Sequence, residues 1–201
     1  MNRMKHRPGH RKRIRHYHEA GHIHELTFSC YYRWPLLTND VWQRMLAQNI
    51  EQAMERHRYG LAAFILMPEH VHLMIYPLAD ANTFDALLKA IKRPFSYRIK
   101  QLLVQSRSQL LQRLTIRQRP GVMTFRYWQE GPGYDRNFTK PSTLLAAIDY
   151  LHHNPVRRGL VKRTLDWKWS SARYYSLDPP RQYPPLPTIH SLATEWLDAT
   201  A

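Results

Sequence analysis

The sequence predicts an α+β domain built on a ferredoxin-like, split βαβ antiparallel sheet with helices on one face. Three observations lead there. Hydrophobic periods of two and of 3.6 alternate along the chain in the order β-α-β-β-α-β-α. The segment His70–Tyr76 alternates strictly, with Val71, Leu73 and Ile75 on one side and the histidines on the other. The chain has 201 residues, 43% of them hydrophobic, enough for one core with an appendage.

The elements follow in order. Ile23 through Trp34 reads as a strand, with Leu26, Phe28, Cys30 and Tyr32 alternating. Thr38, Asn39 or Asp40 caps a helix that turns Val41, Met45, Ile50 and Met54 to one face and runs to about Arg58. Leu61–Met67 is a continuous apolar run, as in a central strand. The Pro68-Glu69 turn leads into the strand His70–Tyr76, stopped by Pro77. A long helix starts near Thr83 with Phe84, Leu87, Leu88, Ile91 and Phe95, and Pro94 is expected to kink or interrupt it.

Residues 105–119 read as helix end plus loop. Met123–Gln129 reads as the next strand, with the turn Gly131-Pro132-Gly133 behind it. Pro141 and Ser142 start a helix expected to end near His153, because Asn154 precedes Pro155. Residues 156–175 are basic and aromatic. Five prolines between 179 and 187 suggest a linker-like tail, and Thr188–Asp198 a short helix. The expected organisation is a flexible basic arm at 1–16, a domain at 17–175 and a Pro-rich tail at 176–201.

Composition narrows the function. Thirty Lys and Arg against 15 Asp and Glu give a net charge of +15, which favours a polyanionic partner. The arm carries Arg3, Lys5, Arg7, Arg11, Lys12, Arg13 and Arg15 and no acid, and is expected to lie along phosphates. Six Trp and twelve Tyr supply faces on which unpaired bases stack. No apolar run suits a membrane span, and no apolar segment follows the basic N-terminus as in a signal peptide. The single cysteine, Cys30, allows neither an internal disulfide nor a cysteine-based zinc site. A cytoplasmic chain with no membrane partner is the expectation.

Two motifs carry chemistry. His70 and His72 project together from one strand face, at a spacing that lets both imidazoles reach one divalent ion. Two exposed histidines in a His-rich chain are the plainer alternative. Farther on, Leu144, Ile148 and Leu151 form the buried stripe of a helix. Tyr150 falls off that stripe, and Asn154 lies one turn later on the same face as Tyr150. Taken alone, that pair also reads as a half-exposed tyrosine and a helix-terminal residue.

The chain resembles the single-tyrosine HUH transposases, particularly the REP-associated tyrosine transposases. Three segments carry the resemblance: Met67-Pro68-Glu69-His70-Val71-His72, Tyr150-Leu151-His152-His153-Asn154-Pro155-Val156-Arg157-Arg158-Gly159-Leu160-Val161 and Asp166-Trp167-Lys168-Trp169-Ser170-Ser171-Ala172. It spans about residues 17–175 and implies the ferredoxin-like sheet reached above. It implies that His70 and His72 are metal ligands, Tyr150 the nucleophile and Asn154 the polar residue completing the metal set, with His152 and His153 as competitors for that place. The implied reaction is metal-dependent cleavage and rejoining of single-stranded hairpin DNA through a 5′-phosphotyrosine, in DNA transposition.

The expected partners and cofactors follow from the resemblance and the chemistry. They are single-stranded DNA hairpins, with Mg²⁺ or Mn²⁺ as cofactor and a monomer or homodimer as the acting species. A phenol titrates near about 10, so such a nucleophile needs the help of a cation. Arg136, Arg157 and Arg158 join the arm as expected nucleic-acid contacts. Glu69 either orients His70 or occupies a turn. Trp167 and Trp169 are read as core, and Cys30 as buried and inert. The competing readings are a non-catalytic DNA or RNA hairpin-binding protein on the same fold and a metal hydrolase using the His-x-His pair.

Overall fold

The computed structural model describes residues 22–192 except Pro132. The basic arm therefore lies outside the described residues, as does most of the helix expected at Thr188–Asp198; residues 188–192 are not helical.

Four strands form the main sheet: β1 (Ile23–Ser29), β2 (Tyr59–Leu66), β3 (His70–Pro77) and the strand Tyr134–Phe138, in the spatial order β2-β3-β1-(134–138). Every neighbouring pair is antiparallel. Helices α1 (Asp40–His57) and α2 (Phe84–Gln105) link the strands as the split βαβ pattern requires. The side chain of Asn39 caps α1, accepting hydrogen bonds from the Val41 and Trp42 amides at 2.9 and 3.2 Å. Thr83 caps α2 through the Ala86 amide.

Period decides which face is which. Val71, Leu73 and Ile75 of β3 join Met45, Leu46, Ile50, Phe84, Leu87 and Ile91 in one apolar core between the sheet and α1/α2. Val41 is not part of it and is exposed; Gln43, Leu46, Ala47 and Ala53 complete the buried face of α1 instead. Helix α2 runs continuously across Pro94, whose ring removes one donor from an otherwise intact helix.

The fourth strand differs from the expectation. A short helix, α3 (Gln109–Leu114), and strand β4 (Thr115–Arg119) occupy the stretch read as loop. Strand β5 (Val122–Phe125) pairs with β4 in a separate hairpin rather than with the main sheet. The sheet is completed by Tyr134–Phe138, hence β6, beside β1. Gly133 makes this possible: it has φ +87°, and a Cβ there would fall 2.0 Å from the Thr27 carbonyl oxygen. Strand β1 stops at Ser29, and Tyr31–Arg33 form a 3₁₀ turn rather than further strand.

Helix α4 (Pro141–Arg157) lies on the second face of the sheet. Its stripe Leu144, Ile148 and Leu151 packs with Ile23, Ala63, Ile65, Met74 and Phe138. That face is therefore partly covered. The helix also outruns the expected end at His153: Pro155 sits inside its last turn, at the cost of one backbone donor.

The proline-rich segment is packed where it is described. Ile189 and Leu192 are buried, and the His190 amide bonds the Leu61 carbonyl on the β2 edge at 2.9 Å. Ser170 bridges Ile65 of the same strand, and α5 (Ala172–Tyr175) follows. Trp169 is core, and Trp167 packs against the second cluster while its indole N–H donates to the Leu66 carbonyl. Among the described residues no helix is long and apolar enough to cross a membrane.

Candidate active site

The uncovered part of the second sheet face, beyond the apolar contact of α4, is a cleft of about 570 Å³. His70 and His72 form its floor, Tyr150 and Asn154 of α4 one wall, and Arg33, Glu69 and Arg158 part of the rim. Strand alternation sends both imidazoles to this face. Helix spacing sends Tyr150 and Asn154 there together, because they are four residues apart and off the buried stripe.

The two histidines are held from behind. His70 Nδ1 lies 2.8 Å from Glu69 Oε1, and His72 Nδ1 lies 2.8 Å from both Glu25 Oε1 and Thr27 Oγ1. A carboxylate can only accept, so Nδ1 carries a proton in each ring and Nε2 is the nitrogen left facing away from these partners. The rings are 4.7 Å apart, centroid to centroid. Burial, reinforced by the neighbouring His72, pushes the His70 pKa down to about 4, so its imidazole is neutral near pH 7.

These donors fit a divalent cation. Neutral imidazoles backed by carboxylates are ordinary ligands for such an ion. Among the described residues no three His, Cys, Asp or Glu side chains gather to hold a metal unaided. An ion there would need an oxygen of another kind, and the amide of Asn154 lines the same cleft. His152 and His153 are engaged elsewhere. His152 is buried, with Nε2 2.8 Å from Ser171 Oγ, and His153 Nδ1 bonds the Asp149 carbonyl at 2.9 Å.

Glu69 is more than a turn residue. Its buried carboxylate accepts from His70 and from the Arg158 guanidinium just past the end of α4, with Arg33 3.9 Å away. Burial alone would raise its pKa; His70 and Arg158 outweigh that and hold it below the usual value. One carboxylate thus ties the tyrosine helix to the histidine strand.

Tyr150 is 62% exposed, and the Arg157 guanidinium lies over its ring at 3.4 Å while donating to Asn154 Oδ1 at 2.9 Å. Arg136 stands apart, exposed on β6 and over the Phe138 ring. Cys30 is buried, and burial pushes its thiol up to about 12. Sequence reasoning missed Glu25, Thr27 and Arg33. The signal for the first two was their alternation about Leu26, but assigning them to His72 needs the β1/β3 register that sets Thr27 opposite His72.

The family described as "Transposase IS200 like" matches residues 19–127, from before β1 to beyond β5. The chain belongs to the IS200-like transposase family. The matched stretch contains His70 and His72 and ends before Tyr150.

Individual relatives agree. A curated protein of Haemophilus influenzae, named "Putative REP-associated tyrosine transposase", is 25% identical over 121 residues. The match covers 60% of this chain and 63% of that protein, so the chain spans less than two thirds of its relative's length. The solved structure of a REP-associated tyrosine transposase bound to a REP hairpin superimposes with a TM-score of 0.63 at 20% identity. That match covers 90% of this chain and 99% of the other, and what it establishes is the shared fold. This member of the IS200-like transposase family is thus an antiparallel four-stranded sheet with α1 and α2 on one face and the His70/Tyr150 cleft on the other.

Proposed function

We propose that this transposase cleaves and rejoins single-stranded DNA at palindromic hairpins, using Tyr150 as nucleophile. The observation that carries the reading is the meeting of Tyr150, Asn154, His70 and His72 in one cleft, from segments some 80 residues apart in sequence. A tyrosine beside two imidazoles backed by carboxylates is a set suited to phosphodiester transfer.

His70 and His72 would hold Mg²⁺ or Mn²⁺ through Nε2, with Asn154 as a further oxygen donor. When bound, the ion neutralises charge on the phosphate and polarises phosphorus. The phenolic oxygen of Tyr150 attacks phosphorus and gives up its proton to solvent. The bond from phosphorus to the 3′ oxygen breaks, and that oxygen takes a proton to become a free 3′-OH. The 5′-phosphate stays on the tyrosine. The phosphodiester energy is retained, so a 3′-OH can reverse the step without ATP. Arg33 and Arg158 at the rim add positive charge where the phosphate would lie. Arg157 over the Tyr150 ring favours one position of the phenol.

The test is incubation of the full chain with end-labelled hairpin DNA and Mg²⁺ or Mn²⁺, followed by a denaturing gel. A shifted covalent band, lost with EDTA, is expected. Tyr150→Phe should lose cleavage and adduct by on the order of 10³-fold or more while binding the hairpin within a few fold. Binding without cleavage by the wild-type chain would instead favour a hairpin-binding module.

A further inference from the structure

The turn that follows β1 has an uncommon backbone conformation. Tyr32 and Arg33 both have positive φ, 51° and 53°. Two successive non-glycine residues there, one of them aromatic, are unusual, and such outliers collect at functional sites. The turn is fixed from both sides: the Cys30 amide bonds the Glu69 carbonyl, and the Tyr31 amide bonds the Tyr127 carbonyl, each at 2.8 Å.

This conformation has two consequences. It turns Arg33 into the rim of the cleft, 3.9 Å from Glu69. It also leaves the Tyr32 ring 67% exposed, beside a second hollow bordered by Tyr31, Arg117 and the Arg126–Glu130 ion pair. Tyr32 does not stand alone. Its ring centroid is 4.4 Å from that of Tyr31 and 6.1 Å from that of Trp34, tilted 36° to the latter. Arg113 covers another part of Trp34, with its guanidinium carbon 4.5 Å from the ring centroid. An aromatic cluster edged by guanidinium groups thus continues directly from the cleft through Arg33.

We propose that this turn is a single-strand platform: unpaired bases flanking the hairpin stack on Tyr32 beside Trp34, while Arg33 holds the phosphate between platform and cleft. Charge complementarity selects the occupant. Exposed Arg33, Arg113 and Arg117 suit a phosphate chain, and an exposed tyrosine among them suits a base that has left its duplex. A duplex keeps its base faces stacked on each other and offers none to Tyr32. The proposal rests on the cleft being a DNA strand-transfer site, and it adds how the strand beside the scissile phosphate is gripped.

The experiment compares fluorescence-anisotropy binding of hairpins carrying a short unpaired extension, on the 5′ or on the 3′ side, with the same hairpins whose extension is abasic. Abasic residues keep every phosphate and remove every stacking face. Wild-type protein should bind one of the natural extensions on the order of tenfold more tightly than its abasic counterpart. Tyr32→Ala should lose that preference and bind both with the abasic affinity, and Tyr32→Phe should keep it. Thermal melting of the variants checks the fold; since the Tyr32 side chain is mostly exposed, Tyr32→Gly, which accepts the positive φ, serves as a second variant. Equal preference in wild type and Tyr32→Ala, or no preference in wild type, overturns the platform and leaves the cleft reading untouched. Failure of wild type to bind any hairpin overturns both.

Discussion

The two faces of the sheet are built from the same strands and obey opposite rules. On the α1/α2 side, β3 contributes Val71, Leu73 and Ile75, each fully buried among apolar neighbours. On the α4 side the alternate residues of that strand are His70 and His72, facing a cleft bordered by a tyrosine, an asparagine, two arginines and a glutamate. The first face holds the chain together through burial, which is non-directional and tolerates exchange between apolar residues. The second face packs apolar residues only under the α4 stripe; around the cleft it is held by named hydrogen bonds, His70 to Glu69, His72 to Glu25 and Thr27, and Arg158 to Glu69. At the cleft end of β3, apolar core and polar cleft are thus separated by a step of one residue along the strand.

Substitution of adjacent residues should break that separation if it is wrong. Leu73→Ala should cost about 2–5 kcal/mol of stability, read by denaturant unfolding. His72→Ala should cost no more than about 1–2 kcal/mol, from the Glu25 partner left behind. The order should reverse in cleavage: His72→Ala removes metal-dependent nicking, whereas folded Leu73→Ala protein retains it at low temperature. Equal stability losses would mean that the histidine face is also structural core.

A smaller effect sharpens the role of the tie between the faces' elements. Arg158→Ala leaves the Glu69 carboxylate with His70 as its nearest partner. The Mn²⁺ concentration needed for half-maximal cleavage should rise about tenfold, with little change in thermal midpoint. An unchanged titration would make Arg158 a phosphate contact only.

The smallest effect belongs to the helix side. Lys92 of α2 lies over the Phe28 ring and donates to the Gly131 carbonyl at 3.2 Å. Burial pushes its pKa down to about 8 from an ordinary value of 10.5. Between those values the unfolded chain binds more protons than the folded one, so this residue's contribution to stability rises with pH. Measured against Lys92→Met, the wild type should gain about 1–2 kcal/mol from pH 8 to 9.5. A flat difference would mean that the ammonium is as well solvated in the fold as out of it.

The legible parts of the molecule were those governed by local period. Strands β2 and β3, the cap and length of α1, and the Leu144-Ile148-Leu151 stripe of α4 follow from spacing of apolar residues, and His70, His72, Tyr150 and Asn154 take their common face from the same rule. The fourth strand was not legible. Met123–Gln129 has the strand-like composition, yet Val122–Phe125 pairs with β4, while polar Tyr134–Phe138 joins β1. That choice depends on backbone pairing and on the close approach at Gly133, which leave no hydrophobic pattern. Glu25 was silent for a related reason: its role exists only across a register. The packing of Ile189 against the core was hidden because the prolines around it report local stiffness and not the contacts the segment makes.

The central claim is that the face opposite the core makes a covalent bond to DNA through one side chain. Mass spectrometry of the protein after reaction with hairpin DNA and Mn²⁺, nuclease trimming and proteolysis tests it most directly. A nucleotide remnant joined through its 5′-phosphate to the peptide bearing Tyr150, absent when EDTA is present, is the predicted result. A remnant on a different tyrosine, or cleaved DNA with no protein-bound nucleotide at all, would contradict it.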